Sequence, residues 1–340
     1  MLNHVSLFAG LGGFIAAANR AKIRTVFATD LEAHCVKTIE KSFPDVPVAC
    51  KDIVDLNFSD YFDTKKQIDI LSAGFPCQSF SAAGSNLGFE DPRGKLFFEI
   101  PRLIETLANP PKVLLLENVA HLKVFDNGSR LTRVIQELRM LGYWISSAQA
   151  LILSSREISG GPQRRERLYI IAYHSDFFKK NFFNFSNFKS VDPQDLWSLL
   201  DTTNKQDKRL YLDEDSKYHM MLDQSLKKHS DKLLYQIRRV GVRVCPKNIC
   251  PTLTANMGSG GHNVPFLKDK WGIRKLSINE CLRLQGYEPG EIIFPEDLPM
   301  SYKYMMIGNA IHAGTVERVI RNINFTQERN VKNDRMELSA

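Results

Sequence analysis

Short apolar runs alternate with amphipathic stretches through the first half of the chain, as expected for strands interleaved with helices. Val5–Phe8 reads as a strand, followed by a glycine turn and a helix over Phe14–Arg20. A second strand, Thr25–Ala28, ends at Thr29-Asp30, and Glu32–Ser42 reads as a helix closed by Pro44. Val46–Cys50 is an expected edge strand that delivers Asp52, and Ile68–Ala73 is a buried strand running into a loop. Leu96–Leu107 follows as a helix broken by Pro110-Pro111. The unbroken run Val113–Leu116 has the pattern of a strand buried on both faces and ends at Glu117-Asn118. Ser129 is placed to cap a helix that lines up Leu131, Val134, Ile135, Leu138 and Leu141 and stops at Gly142. Tyr143–Leu153 and Arg167–Tyr173 supply further strands. This order predicts an α/β fold with a doubly wound, mostly parallel sheet.

Beyond Phe178 the periodicity fades. Lys179–Lys189 reads as a linker, Asp192–Lys247 mixes charges of both signs without a clean strand pattern, and Asn256–Asn263 is too glycine-rich for a regular element. Since 340 residues exceed what one core usually organises, two unequal domains are expected. The division reads as 1–185 for a ligand-binding α/β domain, 186–300 for a smaller irregular domain, 301–326 returning to the first, and a polar tail over 327–340. The return would be made by a helix over Ala313–Ile323.

Composition narrows the class more than the chemistry. Hydrophobic content of 43% and charged content of 24% are ordinary for a soluble protein. No apolar stretch is long enough for a membrane span, the N-terminus lacks the pattern of a signal peptide, and six scattered cysteines suggest a reducing cytoplasm. A net charge of +7 points mildly to a polyanionic partner.

Four places could carry chemistry. Phe8-Ala9-Gly10-Leu11-Gly12-Gly13 lets backbone approach a ligand at a helix N-terminus, although Ile15 stands where a dinucleotide fingerprint needs glycine. Asp30 and Asp52 at later strand ends could accept from ribose hydroxyls and an adenine amine, which suggests a nucleoside-bearing cofactor. Gly74-Phe75-Pro76-Cys77-Gln78-Ser79-Phe80-Ser81 presents a cysteine on a stiff loop after a strand. Glu117, at the end of an apolar strand, is expected to be desolvated and to titrate high. Arg165 and Arg167 alternate onto one face as their strand begins, and suit a carbonyl oxygen, a phosphate or a carboxylate. Taken singly, each has a bland alternative: a tight turn, a buried cysteine, a capping glutamate, a surface charge cluster. Cys245 and Cys250 lack a second ligand pair, so no metal is expected.

Together these motifs, with Glu117-Asn118-Val119, Gln163–Arg167 and Gly308-Asn309-Ala310, resemble the cytosine-5 DNA methyltransferases in order and approximate spacing, from Val5 to about Ile320. The size is similar to that of the compact bacterial enzymes of restriction-modification systems. The resemblance implies S-adenosylmethionine as cofactor, S-adenosylhomocysteine as product, double-stranded DNA as substrate, and a cytoplasmic monomer paired functionally with a restriction endonuclease. It implies Cys77 as nucleophile at carbon 6 of a flipped-out cytosine and Glu117 at ring nitrogen 3. Arg165 would bind the cytosine carbonyl, and Arg167 would support the Cys77 loop. Cofactor contacts would come from Phe8, Ala9, Gly10, Leu11, Gly12, Gly13, Asp30, Leu31, Asp52, Ile53, Pro76, Leu96, Asn309 and Ala310. DNA contacts would come from Gln78, Ser81, Arg93, Gln163, Thr252, Thr254 and Asn256, with the glycine-rich loop Asn256–His262 reading the groove. The chain departs from common family choices at Leu31, Ala83 and Ser159-Gly160-Gly161. The same chemistry on a transfer RNA cytosine, or a catalytically silent DNA-binding protein, are the rival readings.

Overall fold

The computed structural model describes residues 1–76, 95–188, 191–259 and 262–328. It divides into two units: 1–153 with 166–189 and 316–340, and 154–165 with 190–315.

The first unit is built on a sheet in the order β3-β2-β1-β4-β5-β8-β6, with β7 beside β8. The strands are β1 (Asn3–Leu7), β2 (Arg24–Asp30), β3 (Val48–Cys50), β4 (Ile70–Ala73), β5 (Val113–Val119), β6 (Tyr143–Trp144), β7 (Ala150–Ser154) and β8 (Glu166–His174). β1 to β5 are mutually parallel, and β8 runs antiparallel to β5. Helices α1 (Gly13–Arg20), α2 (Ala33–Ser42), α3 (Glu99–Glu105), α4 (His121–Val124) and α5 (Ser129–Met140) complete an α/β fold of the doubly wound kind. Val5, Leu7, Leu71, Leu114, Leu116 and Ile170 lie in one buried cluster with the apolar faces of α3 and α5. Sequential parallel strands need crossovers, so the helices that supply them bury their apolar stripes on this sheet.

Three boundaries differ from expectation. β5 continues through Glu117 and Asn118 to Val119, because β8 pairs with it along that length, Val119 opposite Arg167. The expected helix from Leu96 begins as a 3-10 turn over Leu96–Phe98 before α3. Ser129 is not the cap of α5. Gly128 holds that place in the left-handed region (φ 80°), and the Ser129 hydroxyl donates to Asp126 Oδ2 at 2.7 Å.

The second unit contains a four-stranded antiparallel sheet, β10-β9-β11-β12, from β9 (Tyr235–Arg238), β10 (Gly241–Val244), β11 (Phe266–Asp269) and β12 (Gly272–Lys275). Its helices are α6 (Ser155–Ser159), α7 (Lys217–Leu226), α8 (Ile278–Leu284) and α9 (Met300–Asn309). A further helix, α10 (Ala313–Arg321), starts here and belongs to the first unit from Val316. The return to the first unit therefore comes at 316 and not at 301, since α9 packs on the turn Ala255–Gly258. That turn is a 3-10 element where a plain loop was expected. A Cβ on Gly308 of α9 would come within 2.4 Å of Thr254 and Ala255 backbone atoms. In β12, Arg274 is fully buried, its guanidinium donating to Asp269 at 2.7 Å and to both oxygens of Glu280 at 2.8 Å.

Candidate catalytic and cofactor site

Because β1 to β5 are parallel, their carboxyl ends share one edge of the sheet, and antiparallel β8 starts at that same edge. Open α/β sheets bind ligands there.

The glycine turn follows β1. Phe8, Gly10 and Gly12 all have positive φ (53°, 55° and 79°) within five residues. A phenylalanine in that region carries strain that glycine avoids, a feature concentrated at functional loops. Gly12 is needed for packing, since a Cβ there would lie 2.6 Å from the Phe43 ring. Gly10 differs: a Cβ would meet nothing within 4 Å, so the backbone there borders open space that a ligand can fill. Asp30, at the end of β2, accepts from the Gly10 amide at 2.7 Å and from the Glu32 amide at 3.0 Å. Burial pushes its carboxyl above the usual carboxylate range, and the two backbone donors oppose that. Asp52, after β3, accepts from the Val54 amide at 3.1 Å and so caps the turn that begins at Ile53. Leu31 is 60% exposed beside Asp30, Ile53 is buried, and Leu96 is half-buried. Ala9, Leu11 and Gly13 are buried and shape the turn from beneath.

After β4, the stretch 74–76 is fixed from two sides. Phe75 is buried with its ring 5.4 Å from that of Phe97, and its carbonyl accepts from Asn118 Nδ2 at 3.1 Å. The end of β5 thus holds the chain at Pro76. Cys77, Gln78, Ser81, Ala83 and Arg93 lie outside the described residues.

The two arginines at the start of β8 have different partners. Glu117 is opposite Tyr169 and Val119 opposite Arg167, so Glu117 and Arg167 share one face as diagonal neighbours. Arg167 Nε lies 3.2 Å from Glu117 Oε1, with both side chains largely buried. Arg165 was expected beside the substrate. Instead it is buried within the second unit, donating to the carbonyls of Leu253 (2.8 Å), Gly308 (3.3 Å) and Ala310.

Gln163 also departs from expectation. It is wholly buried, with its amide nitrogen donating to Leu284 O and Gln285 Oε1 and its oxygen accepting from the Leu253 amide, so it does not face DNA. Gln285 donates in turn to Ile307 O and Ala310 O. Arg165, Gln163 and Gln285 form a buried knot that fixes the backbone around Leu253 and Ala310. Asn309, next to it, is exposed and Ala310 buried. The Thr252 hydroxyl donates to Arg164 O, and that of exposed Thr254 donates to Asn256 at 2.6 Å. Cys245 and Cys250 are buried, and burial pushes the Cys245 thiol up to about 11.

The family model for the C-5 cytosine-specific DNA methylases matches residues 2–324. The Type II methyltransferase M.Bsp6I of Bacillus sp. (strain RFL6) is 38% identical over 328 residues, covering 95% of this chain and 98% of the relative. M.HhaI of Haemophilus parahaemolyticus, another Type II methyltransferase, is 31% identical, with 95% and 94% covered. Among solved structures, the Entamoeba histolytica methyltransferase EhMeth shares the fold with a TM-score of 0.71 at 18% identity, covering 95% of this chain and 98% of that one.

Proposed function

The chain belongs to the C-5 cytosine-specific DNA methylases, and from that premise we propose that it methylates carbon 5 of a flipped-out cytosine within a specific duplex DNA sequence, with Cys77 as covalent catalyst. The observation that carries this reading is the shared sheet edge. Along it lie the glycine turn, Asp30, Asp52, residues 74–76, Glu117 and Arg167.

S-adenosylmethionine, when bound, supplies the methyl group as an electrophilic sulfonium carbon. The open backbone at Gly10 and the carboxylates at two strand ends fit such a molecule. In this reading Phe8, Gly10, Leu11, Asp30, Leu31, Asp52 and Ile53 hold it, with Pro76 separating it from the base. No helix among the described residues is long and apolar enough to cross a membrane.

Carbon 5 of cytosine is a weak nucleophile by itself. Addition of the Cys77 thiolate forms a C6–S bond and moves the displaced electron pair toward carbon 5, which can then attack. Glu117 hydrogen-bonds ring nitrogen 3 and the exocyclic amine, steadying the charge that this shift creates. Arg167, and not Arg165, takes the carbonyl oxygen: that oxygen adjoins ring nitrogen 3, and the guanidinium adjoins Glu117. After carbon 5 loses its proton, the C6–S bond breaks and returns the thiolate. Extruding the base from the stack costs a few kcal/mol, supplied by contacts made outside the flipped nucleotide.

A duplex carrying 5-fluorocytosine tests the covalent step, because the fluorine that replaces the departing proton blocks elimination. Incubated with S-adenosylmethionine and a pool of such duplexes, the protein should form an adduct that resists denaturation, and Cys77→Ala should form none. A folded wild-type protein that transfers no methyl group and traps no duplex would overturn the assignment.

A further inference from the structure

Between Lys227 and Lys247 the sequence carries seven Lys or Arg and a single Asp, against a net charge of +7 for all 340 residues. Most of the chain's positive excess is therefore concentrated in this stretch, and β9 and β10 lie at its centre. In their antiparallel pairing Tyr235 faces Val244, Gln236 faces Arg243, Ile237 faces Val242, and Arg238 faces Gly241. Directly paired residues share a face and successive ones alternate. One face thus carries Tyr235, Ile237, Val242 and Val244, which pack in a cluster with Leu222 and Leu226 of α7. The opposite face carries Gln236, Arg238, Gly241 and Arg243.

The connection is a tight turn of two residues, Arg239 and Val240. Val240 is 100% exposed, and Arg238, Arg239 and Arg243 are exposed around it. Arg238 is also oriented: its Nη2 donates to the side-chain oxygen of buried Gln236 at 2.8 Å, while Gly241 opposite places no side chain against it. An oriented guanidinium beside an exposed apolar tip, flanked by further cations, is a combination that a groove-entering element can use.

We infer that the β9–β10 hairpin enters the major groove of the substrate duplex, with Arg238 reading a base edge and Arg239 and Arg243 contacting phosphates. The inference rests on the methyltransferase reading above. The major groove of B-form DNA admits a two-stranded ribbon, and an oriented guanidinium matches the paired acceptors of guanine. Val240 at the tip then meets an apolar edge such as a thymine methyl. The deep, narrow major groove of A-form RNA excludes a hairpin of this width, so the partner is duplex DNA. Readout moves accordingly from Thr252, Thr254 and Asn256 to the hairpin: Thr252 is bonded to backbone and Thr254 to Asn256.

The test compares the full-length protein with three variants on a random-sequence duplex pool, by methylation mapping and by DNA affinity against salt. Thermal unfolding verifies that each variant is folded. Arg238→Lys keeps the charge and removes the fork; it should relax preference at one base position by about tenfold or more while leaving the salt slope unchanged. Arg239→Gln and Arg243→Gln should keep the methylated sequence, weaken affinity severalfold, and each reduce the log–log salt slope by about one. Variants that all keep wild-type sequence, affinity and slope overturn the hairpin assignment while leaving the enzyme assignment standing. A wild-type protein that methylates no duplex overturns the enzyme assignment, and the two glutamine variants then decide the hairpin through affinity alone. Tighter binding to duplex RNA than to DNA of the same sequence overturns the choice of partner.

Discussion

Arg165 and Arg167 stand two residues apart and carry the same functional group, yet their surroundings demand different behaviour under substitution. Arg165 is buried and shares its donors among three main-chain carbonyls. Charge-assisted hydrogen bonds of this kind contribute about 1.5–3 kcal/mol each, and removing the donor leaves buried carbonyls unsatisfied. Arg165→Gln should therefore cost about 3 kcal/mol or more of stability, read as a lower midpoint in urea unfolding. Arg167→Gln should also destabilise, by about 3 kcal/mol on the same measurement, because it strands the largely buried Glu117 carboxylate. It should in addition lower kcat about a hundredfold, the usual effect of losing one donor aimed at developing charge. Unchanged turnover in Arg167→Gln, or a hundredfold loss in Arg165→Gln alone, would refute this division. The motif was legible in the sequence; the division was not. At the start of a strand, alternate arginines look equivalent, and only the register of β8 against β5 shows which one reaches Glu117. Gln163 was misread for a related reason: an amide beside two arginines suggests an exposed polar patch, whereas its three bonds are made inside.

At the scale of elements, periodicity located the strands and helices of the first unit but not what joins the strands. His4 of β1 is fully buried between Thr25 of β2 (Nδ1 to Oγ1, 2.9 Å) and Ser72 of β4 (Nε2 to Oγ, 2.7 Å). These polar residues interrupt otherwise apolar runs, and nothing local in the sequence says that they meet. Burial lowers the His4 pKa from its ordinary value of 6.5 to about 3, since the imidazolium would have to form without solvent. The unfolded chain therefore binds a proton that the folded chain refuses between those values. Stability from this group is fully present above about pH 6.5 and falls as the pH drops toward 3. Between pH 7 and pH 5, above the range of ordinary carboxylates, the loss should be about 2 kcal/mol. His4→Asn should flatten that slope in urea unfolding at the two pH values, whatever it does to stability at pH 7. A variant with the wild-type slope would place the acid sensitivity elsewhere. The hairpin of β9 and β10 was missed altogether, because four-residue strands give too little alternation to stand out among mixed charges.

The whole chain divides into two compact units, and the path it takes between them is not written in any local pattern. The expected plan had one excursion and a return at 301. The structure has the chain leave the first unit at 154, re-enter at 166, leave again after 189 and return at 316. Contact across long sequence separation leaves no local mark, so the short segment 154–165 could not be assigned by pattern. The plan has a consequence for how the first unit folds. Val316, Val319, Ile320 and Ile323 are buried in the returning segment, each at 8% exposure or less. Glu317 meets Arg20 at 3.4 Å, Arg321 donates to the Arg20 carbonyl, and the Asn324 amide donates to the Tyr173 hydroxyl at 2.8 Å. Lys112 is held between Asp69 and Glu328, at 3.0 Å from each. Burying four aliphatic side chains contributes about 6–12 kcal/mol before the entropy of ordering the segment is subtracted, a sum comparable to the entire stability of a domain. A fragment ending at residue 189 should then fail to fold, although it holds every strand of the parallel sheet. Appending 313–328 through a flexible linker should restore cooperative unfolding and protease resistance. If the 1–189 fragment unfolds cooperatively without the appended segment, the C-terminal return is not what completes the first unit.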